Sequence, residues 1–319
     1  MREILRAFKY TLKSIRVHTY DLILYVSSSN KYLNNDKLTY IYKLRKDFHK
    51  IEKGLTMIPR RPFFGFRVLD NIIDTIEKID DRNHQDVISA VHVIEHYIRE
   101  HDNDQKLIKY IDFVRKFNLG SQGDKGGYQE IKLEEICTSN SDFNIYKNVV
   151  LNRRTVRSFR KEKVSQIDVN EAVNIARHSP SACNRQSWRV KVIDRKEKID
   201  EILKLQNGND GFREQILNLA VITADLTSCI SPEERKQVWF DSGLFSMNFV
   251  NSLHGLGIGS CFLNWCVDIK NDKKINSLLS LGKGEVVTVV IAFGYYDDST
   301  LICTSPKKSN DQLVEFVCD

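Results

Sequence analysis

Apolar residues near the start of the chain recur at three- and four-residue spacing. Ile4, Leu5, Phe8, Leu12, Ile15 and Leu22 form one stripe, with Thr19 as a polar break, and this period predicts an amphipathic helix. The same period recurs over 38–51, 68–79, 87–98 and 107–117, with Asp36 and Asn83 placed as helix N-caps. Residues 1–118 therefore read as an all-helical extension. Residues 120–127 hold four glycines, the composition of a flexible linker, and 119–149 is assigned as linker and lead-in.

From residue 150 to 319 the pattern alternates. Helices are predicted at 167–178, 199–205 and 233–256. Strands are predicted at 188–193, 219–223, from 257 to 263, and at 286–293, where Val-Val-Thr-Val-Val-Ile is heavily β-branched. The long helix 233–256 carries a stripe through Trp239, Phe240, Leu244, Met247, Val250 and Leu253. Strands mixed with helices indicate an α+β fold, a mixed sheet sandwiched by helices.

Composition narrows the classes. Hydrophobic residues make up 41% of the 319 positions and charged residues 28%, a globular balance. No apolar run reaches the eighteen or so residues that span a bilayer, and the start lacks a secretory pattern, so the expected location is cytoplasmic. Seven cysteines and eight histidines show no zinc-ribbon, CxxC or HExxH spacing, and no metal site is expected. The net charge of +6 is spread among acidic residues rather than clustered with aromatics, so no nucleic-acid partner is expected. Arg2, Arg6, Lys9, Lys13 and Arg16 form a basic stripe on the first helix. Helices on anionic membranes show such a stripe, and so does any solvated helix face. The solvated face is preferred here, with the apolar side packed on the rest of the protein.

Four segments carry chemistry. Arg153-Arg154-Thr155-Val156-Arg157-Ser158-Phe159 offers planar, bidentate donors suited to phosphate. In an extended segment Arg153, Thr155 and Arg157 point one way and Arg154 the other. Alone it is also an ordinary basic loop. Pro180-Ser181-Ala182-Cys183-Asn184-Arg185-Gln186-Ser187-Trp188 combines small residues, which let a flat ring approach the backbone, with Asn184 and Gln186, which both donate and accept. It also reads as a simple turn. Gly255-Leu-Gly257-Ile-Gly259-Ser-Cys-Phe-Leu263-Asn264-Trp265 has the glycine spacing of a dinucleotide fingerprint, but its glycines end a helix instead of opening one. Lys307 and Lys308 follow near the C-terminus.

In this order the four segments resemble the FMN-dependent nitroreductase family over about Val150 to the C-terminus. Ser187 stands where that family usually has proline, and Asn264-Trp265 stands where many members have small residues. Further motifs resemble a subgroup with a long helical extension, often found in bacterial surface-polysaccharide gene clusters: Asn207–Phe212, Glu234–Gln237, Asp241–Asn248, and in the extension His49–Leu55 and Arg61–Gly65.

The resemblance implies a homodimeric FMN enzyme. NADH or NADPH would deliver hydride to flavin N5, and a small electron-accepting substrate would then remove it. Arg153 and Thr155 would hold the FMN phosphate, with Arg154 nearby and Lys307 or Lys308 closing the pocket. Arg157 would face the flavin N1 side. Pro180, Ser181, Ala182, Asn184 and Gln186 would come from the other subunit, and the backbone around Leu263, Asn264 and Trp265 would reach N5. No catalytic side chain is assigned. Phe245, Met247 and Phe249 are expected at the dimer interface, and His49, Lys50 and Lys53 are candidates to face the site. Two alternatives stay open: a flavin-dependent tailoring or flavin-consuming enzyme without NAD(P)H, and a non-enzymatic flavin-binding or scaffold protein, in which the extension covers the flavin site and docks a partner.

Overall fold

The computed structural model describes residues 1–30, 32, 37–117, 126–130 and 139–317. The predicted cap Asp36 and linker residues 120–125 lie outside them. Among the described residues the extension has the α-helices α1 (Arg2–Ser29), α2 (Lys37–Leu55), α3 (Phe66–Glu77), α4 (Gln85–Arg99) and α5 (Ile108–Val114). The cap of α4 is His84, one residue past the predicted Asn83; its Nδ1 accepts from the Asp86 amide at 3.2 Å.

The stripes of α2–α5 mainly bury each other. Leu44, Ile51, Leu69, Ile76, Ile94 and Tyr97 belong to one cluster confined to residues 41–113. The expected burial on the neighbouring region is therefore replaced by a self-contained core. The first half of α1 also departs from expectation: Ile4, Leu5, Phe8, Leu12 and Ile15 are exposed. Only its last turns pack, with Leu24 and Tyr25 against a small cluster that includes Leu226, Val238 and Val286. Gly126 and Gly127 are not slack linker. A Cβ on Gly126 would lie 2.5 Å from the Ser89 carbonyl oxygen, and Gly127 has φ +124 with its amide donating to Glu52 at 3.1 Å.

The remainder comprises α6 (Asn140–Asn152), α7 (Gln166–Ala176), β1 (Trp188–Ile193), α8 (Lys196–Leu203), β2 (Asn218–Asp225), α9 (Gln237–Gly255), β3 (Gly259–Leu263), α10 (Ile269–Leu279) and β4 (Glu285–Gly294). The strands are ordered β1-β2-β4-β3, all antiparallel, and the parallel component is a single bridge, Thr155 to Ser260. Side chains alternate across the sheet. Leu219 and Val221 of β2 face α8 and α10 through Ile199, Ile202 and Ile275; Ala220 and Ile222 face α7 and α9 through Ala172, Phe245 and Phe249. The result is an α+β sandwich. The sequence reading missed α6 and α10.

Helix α9 shows why its stripe was misread. Val238, Phe245, Phe249, Val250 and Leu253 are buried, while Trp239, Phe240 and Met247 are exposed. Apolar residues occur on both faces, so periodicity alone could not choose between them. Phe245 and Phe249, expected at an interface, are core residues. Phe249 stacks on Phe245 and meets Phe293 edge-on at 6.2 Å. Phe249→Ala is expected to lower stability by about 3–5 kcal/mol, read as a drop in the urea midpoint with little change in slope. A loss below about 1 kcal/mol would contradict this packing.

Candidate functional site

Arg153 is the residue at which α6 ends, its amide bonded to Val149 O. The chain then runs extended beside β3, with the Val156 amide donating to Ser260 O at 3.0 Å. A recess of about 220 Å3 opens here, lined by Arg153, Arg154, His254, Gly259 and Ser260. A Cβ on Gly259 would come within 2.8 Å of Val156 and Tyr296, so the close approach of these segments requires glycine. Arg154 turns back to donate to Leu151 O. Arg153 Nε is buried with no hydrogen-bond partner among the described residues. A buried guanidinium donor left unpaired is costly, and a phosphate oxygen is the kind of acceptor that would satisfy it. The chemistry of the residues therefore fits a phosphate-bearing cofactor. Burial, then the nearby cations Arg153 and Arg154, hold the His254 imidazole below its ordinary range.

Arg157 lies at the next turn of this edge, 3.7 Å from Cys303 Sγ. Burial raises the Cys261 thiol above its usual range, and the Arg157 cation partly offsets that. Asn264 and Trp265 follow β3. The Asn264 carbonyl accepts from Gln206 at 3.1 Å, and the Trp265 indole N–H donates to Asp272 at 3.1 Å. Lys307 and Lys308 are exposed; among the described residues no contact joins them to Arg153.

The segment from Pro180 to Gln186 sits elsewhere. It leads into β1, the opposite edge of the sheet from β3, and the Ala182 amide donates to Asp241 Oδ2 at 3.1 Å, near the start of α9. His254, beside Arg153, is in the last turn of α9. At 1.5 Å per residue the two anchor points are about 20 Å apart along the helix. One chain thus brings Arg153, Thr155, Arg157, Asn264 and Trp265 to one edge, and Pro180, Ser181, Ala182, Asn184 and Gln186 to the other.

The second segment is tightly determined. Cys183, Asn184 and Gln186 have φ of 52, 50 and 48. Three left-handed non-glycine residues in four positions persist only where surroundings enforce them. Gln186 Nε2 donates to Asn184 Oδ1 at 2.9 Å, and Ser181 Oγ accepts from the Gln186 amide. Arg185, buried between them, donates to Ala182 O, Ser228 O and Glu234. Burial is the largest single influence and works against the Arg185 charge, but the hydrogen bond and charge of Glu234, with smaller contributions from Cys183 and Cys229, together hold the guanidinium above its ordinary range.

Sequence reasoning missed what braces this segment from outside. Arg45 of α2 donates to the Arg185 carbonyl at 2.7 Å and to Asp86 at 2.6 Å. Lys46 approaches Glu234 at 4.0 Å. His49 and Lys50, proposed from sequence to face the site, instead pair with Glu52 and Asp47 of their own helix. A separation of 140 residues leaves no local signal for the Arg45–Arg185 contact.

Two outcomes follow. Arg45→Ala removes a charged hydrogen bond and strands Asp86, so stability should fall by about 1.5–3 kcal/mol, and amide exchange over residues 182–187 should quicken while that of β4 shifts only with global stability. Unchanged exchange there would contradict the brace. An anion bound at Arg153 and Arg154 offsets the charges that disfavour the imidazolium, so saturating phosphate should raise the His254 titration midpoint, followed by NMR. A fixed midpoint would place the anion elsewhere.

A family model described as the nitroreductase family matches residues 150–295. A curated relative from Archaeoglobus fulgidus, provisionally named an NADH dehydrogenase/NAD(P)H nitroreductase, is 27% identical over 155 residues, covering 47% of this chain and 84% of its own. Among solved structures, a nitroreductase family protein from Streptococcus pneumoniae TIGR4 is 22% identical with a TM-score of 0.47, over 54% of this chain and 99% of that one. An FMN-dependent nitroreductase from Clostridium difficile R20291 is 22% identical with a TM-score of 0.46, at the same coverage. The match to the nitroreductase family model thus falls on residues 150–295, which follow helices α1 to α5 in this chain.

Proposed function

We propose that this protein is an FMN-dependent oxidoreductase that takes electrons from NADH or NADPH and passes them to a small acceptor, with each flavin held between two copies of the chain. The observation that carries the reading is the recess at Arg153, where a buried guanidinium nitrogen has no acceptor among the described residues; Thr155 follows on the same extended segment. Arg153 and Thr155 bind the phosphate, and Lys307 or Lys308 closes over it. Arg157 is placed to stabilise negative charge on the reduced ring. Pro180, Ser181, Ala182, Asn184 and Gln186 contribute from the second copy, and the backbone at Leu263, Asn264 and Trp265 supports the ring edge. Bound FMN would supply the hydride chemistry; the chain supplies binding, orientation and a fixed cation.

Two-fold pairing suits this division. If α9 packs antiparallel on its partner through the exposed Phe240 and Met247, the start of one helix lies beside the end of the other. The Asn184 segment of one copy then approaches Arg153 of the next. We place the functional division near residues 119–149, with the extension bracing the second segment through Arg45. Among the described residues no helix is long and apolar enough to cross a membrane; a cytoplasmic location remains part of this proposal.

The released flavin identifies the cofactor. Chromatography of denatured protein should give FMN, and stoichiometric FAD would refute the clamp. The yellow protein should bleach on adding NAD(P)H; a yellow protein indifferent to both nucleotides would favour the tailoring alternative, and a protein that ignores FMN would favour a scaffold. Arg153→Ala should weaken FMN by about 2–3 kcal/mol, roughly 30- to 150-fold, by titration of apoprotein. Arg157→Ala should chiefly slow bleaching of the saturated protein. Equal effects on binding alone would contradict these separate roles.

A further inference from the structure

A second cavity, of about 590 Å3, lies where the last turns of α1 cross the start of α9 and the segment after β3. Its size is that of a small-molecule site. Trp239 and Trp265 both line it, as do Arg235 and Lys236. Its aromatic wall is fixed: Asp272 accepts from the Trp265 indole at 3.1 Å and from the Tyr20 hydroxyl at 2.9 Å. Tyr25, donating to Ser231 O at 2.9 Å, holds α1 across the opening. Trp239 is 45% exposed, a large ring left facing open space. Arg235 lies near enough to Glu233 for its charge to add to the Ser231 hydrogen bond in lowering that carboxyl, and neither Arg235 nor Lys236 forms a close ion pair among the described residues. Two carboxylates also line the cavity. Asp272 is taken up by Tyr20 and Trp265, so its oxygens already face donors.

We propose that this cavity binds a planar aromatic molecule bearing an anionic group, its ring against Trp239 and Trp265 and its anion at Arg235 and Lys236. The inference extends the oxidoreductase reading, on which the molecule is the electron acceptor: Trp265 adjoins Asn264, assigned to the flavin edge. Residues 17–25 of α1 wall the site and lie outside the family match at 150–295, so the extension gives this chain a pocket that the matched domain alone does not build. Aromatic faces hold flat rings, and paired cations select the anionic one.

The probes are 4-nitrobenzoate and its neutral analogue 4-nitrobenzyl alcohol, titrated calorimetrically into the full-length protein as purified. The carboxylate should bind at least tenfold more tightly. Arg235→Gln with Lys236→Gln should weaken 4-nitrobenzoate at least tenfold and the alcohol less than twofold, with an unchanged melting temperature showing that the chain is folded. Trp239→Ala should weaken both. In turnover, one NAD(P)H and one proton supply the two electrons and two protons that convert the nitro group to nitroso with release of water, and KM for the carboxylate should rise in the glutamine variant while kcat holds. Equal affinity for the two probes, or a glutamine variant that still prefers the carboxylate, overturns the site. Charge-selective binding by a protein that neither holds FMN nor oxidises NAD(P)H keeps the site and removes the oxidoreductase reading. A flavoprotein bleached by NAD(P)H with no charge preference does the reverse.

Discussion

The antiparallel sheet and α9 keep two sets of residues apart. β1 and β3 are opposite edges of a four-stranded sheet, and α9 crosses one face from Asp241 near the loop before β1 to His254 beside Arg153. Strand spacing and helix rise are fixed by backbone hydrogen bonding. No side-chain adjustment can bring Asn184 to Arg153 within one copy. A site that uses both must be assembled from two copies, and the uncovered face of α9 supplies apolar surface for that assembly.

The same constraint gives the extension a role. The Asn184 segment has three left-handed residues. Its conformation rests on Arg185, which fills the interior of the turn, and on Glu234, which neutralises Arg185. Arg45 adds a contact from α2 to the Arg185 carbonyl. The helices behind Arg45 have their own core, so the brace comes from a body that does not depend on the turn for its stability. A rigid support of this kind lowers the entropy lost when a ligand meets the turn.

Much of the fold was legible from periodicity. β1 matches the predicted range; β2 is buried along its length, and β4 at every position but Thr288 and Val289. The missed helices are those with weak stripes: α6 buries no residue, and α10 buries only Ile275. The two faces of α9 were confused because both carry aromatics, and only packing against Phe293 and Trp188 distinguishes them. At the site, the arginine segment and the Pro180–Gln186 segment were visible as motifs, because phosphate recognition and tight turns demand particular residue types. Arg45 and Asp272 were not, and Glu234 and Asp241 stood out only within segments resembling a subgroup, with nothing to show what they contact. They act through contacts made across the tertiary fold, and a charged residue carries no mark of such partners in the local sequence.

The account turns on the flavin site being shared between copies. Arg157→Ala and Asn184→Ala homodimers should both be poor enzymes. Mixed under conditions that exchange subunits, half the dimers become heterodimers, each with one doubly damaged site and one intact site. About one quarter of all sites should then recover full activity, by the arithmetic of a two-fold interface. No recovery, once differently tagged chains have shown that exchange took place, would mean that the two residues serve the same subunit's flavin or no common flavin, and the shared site would be wrong.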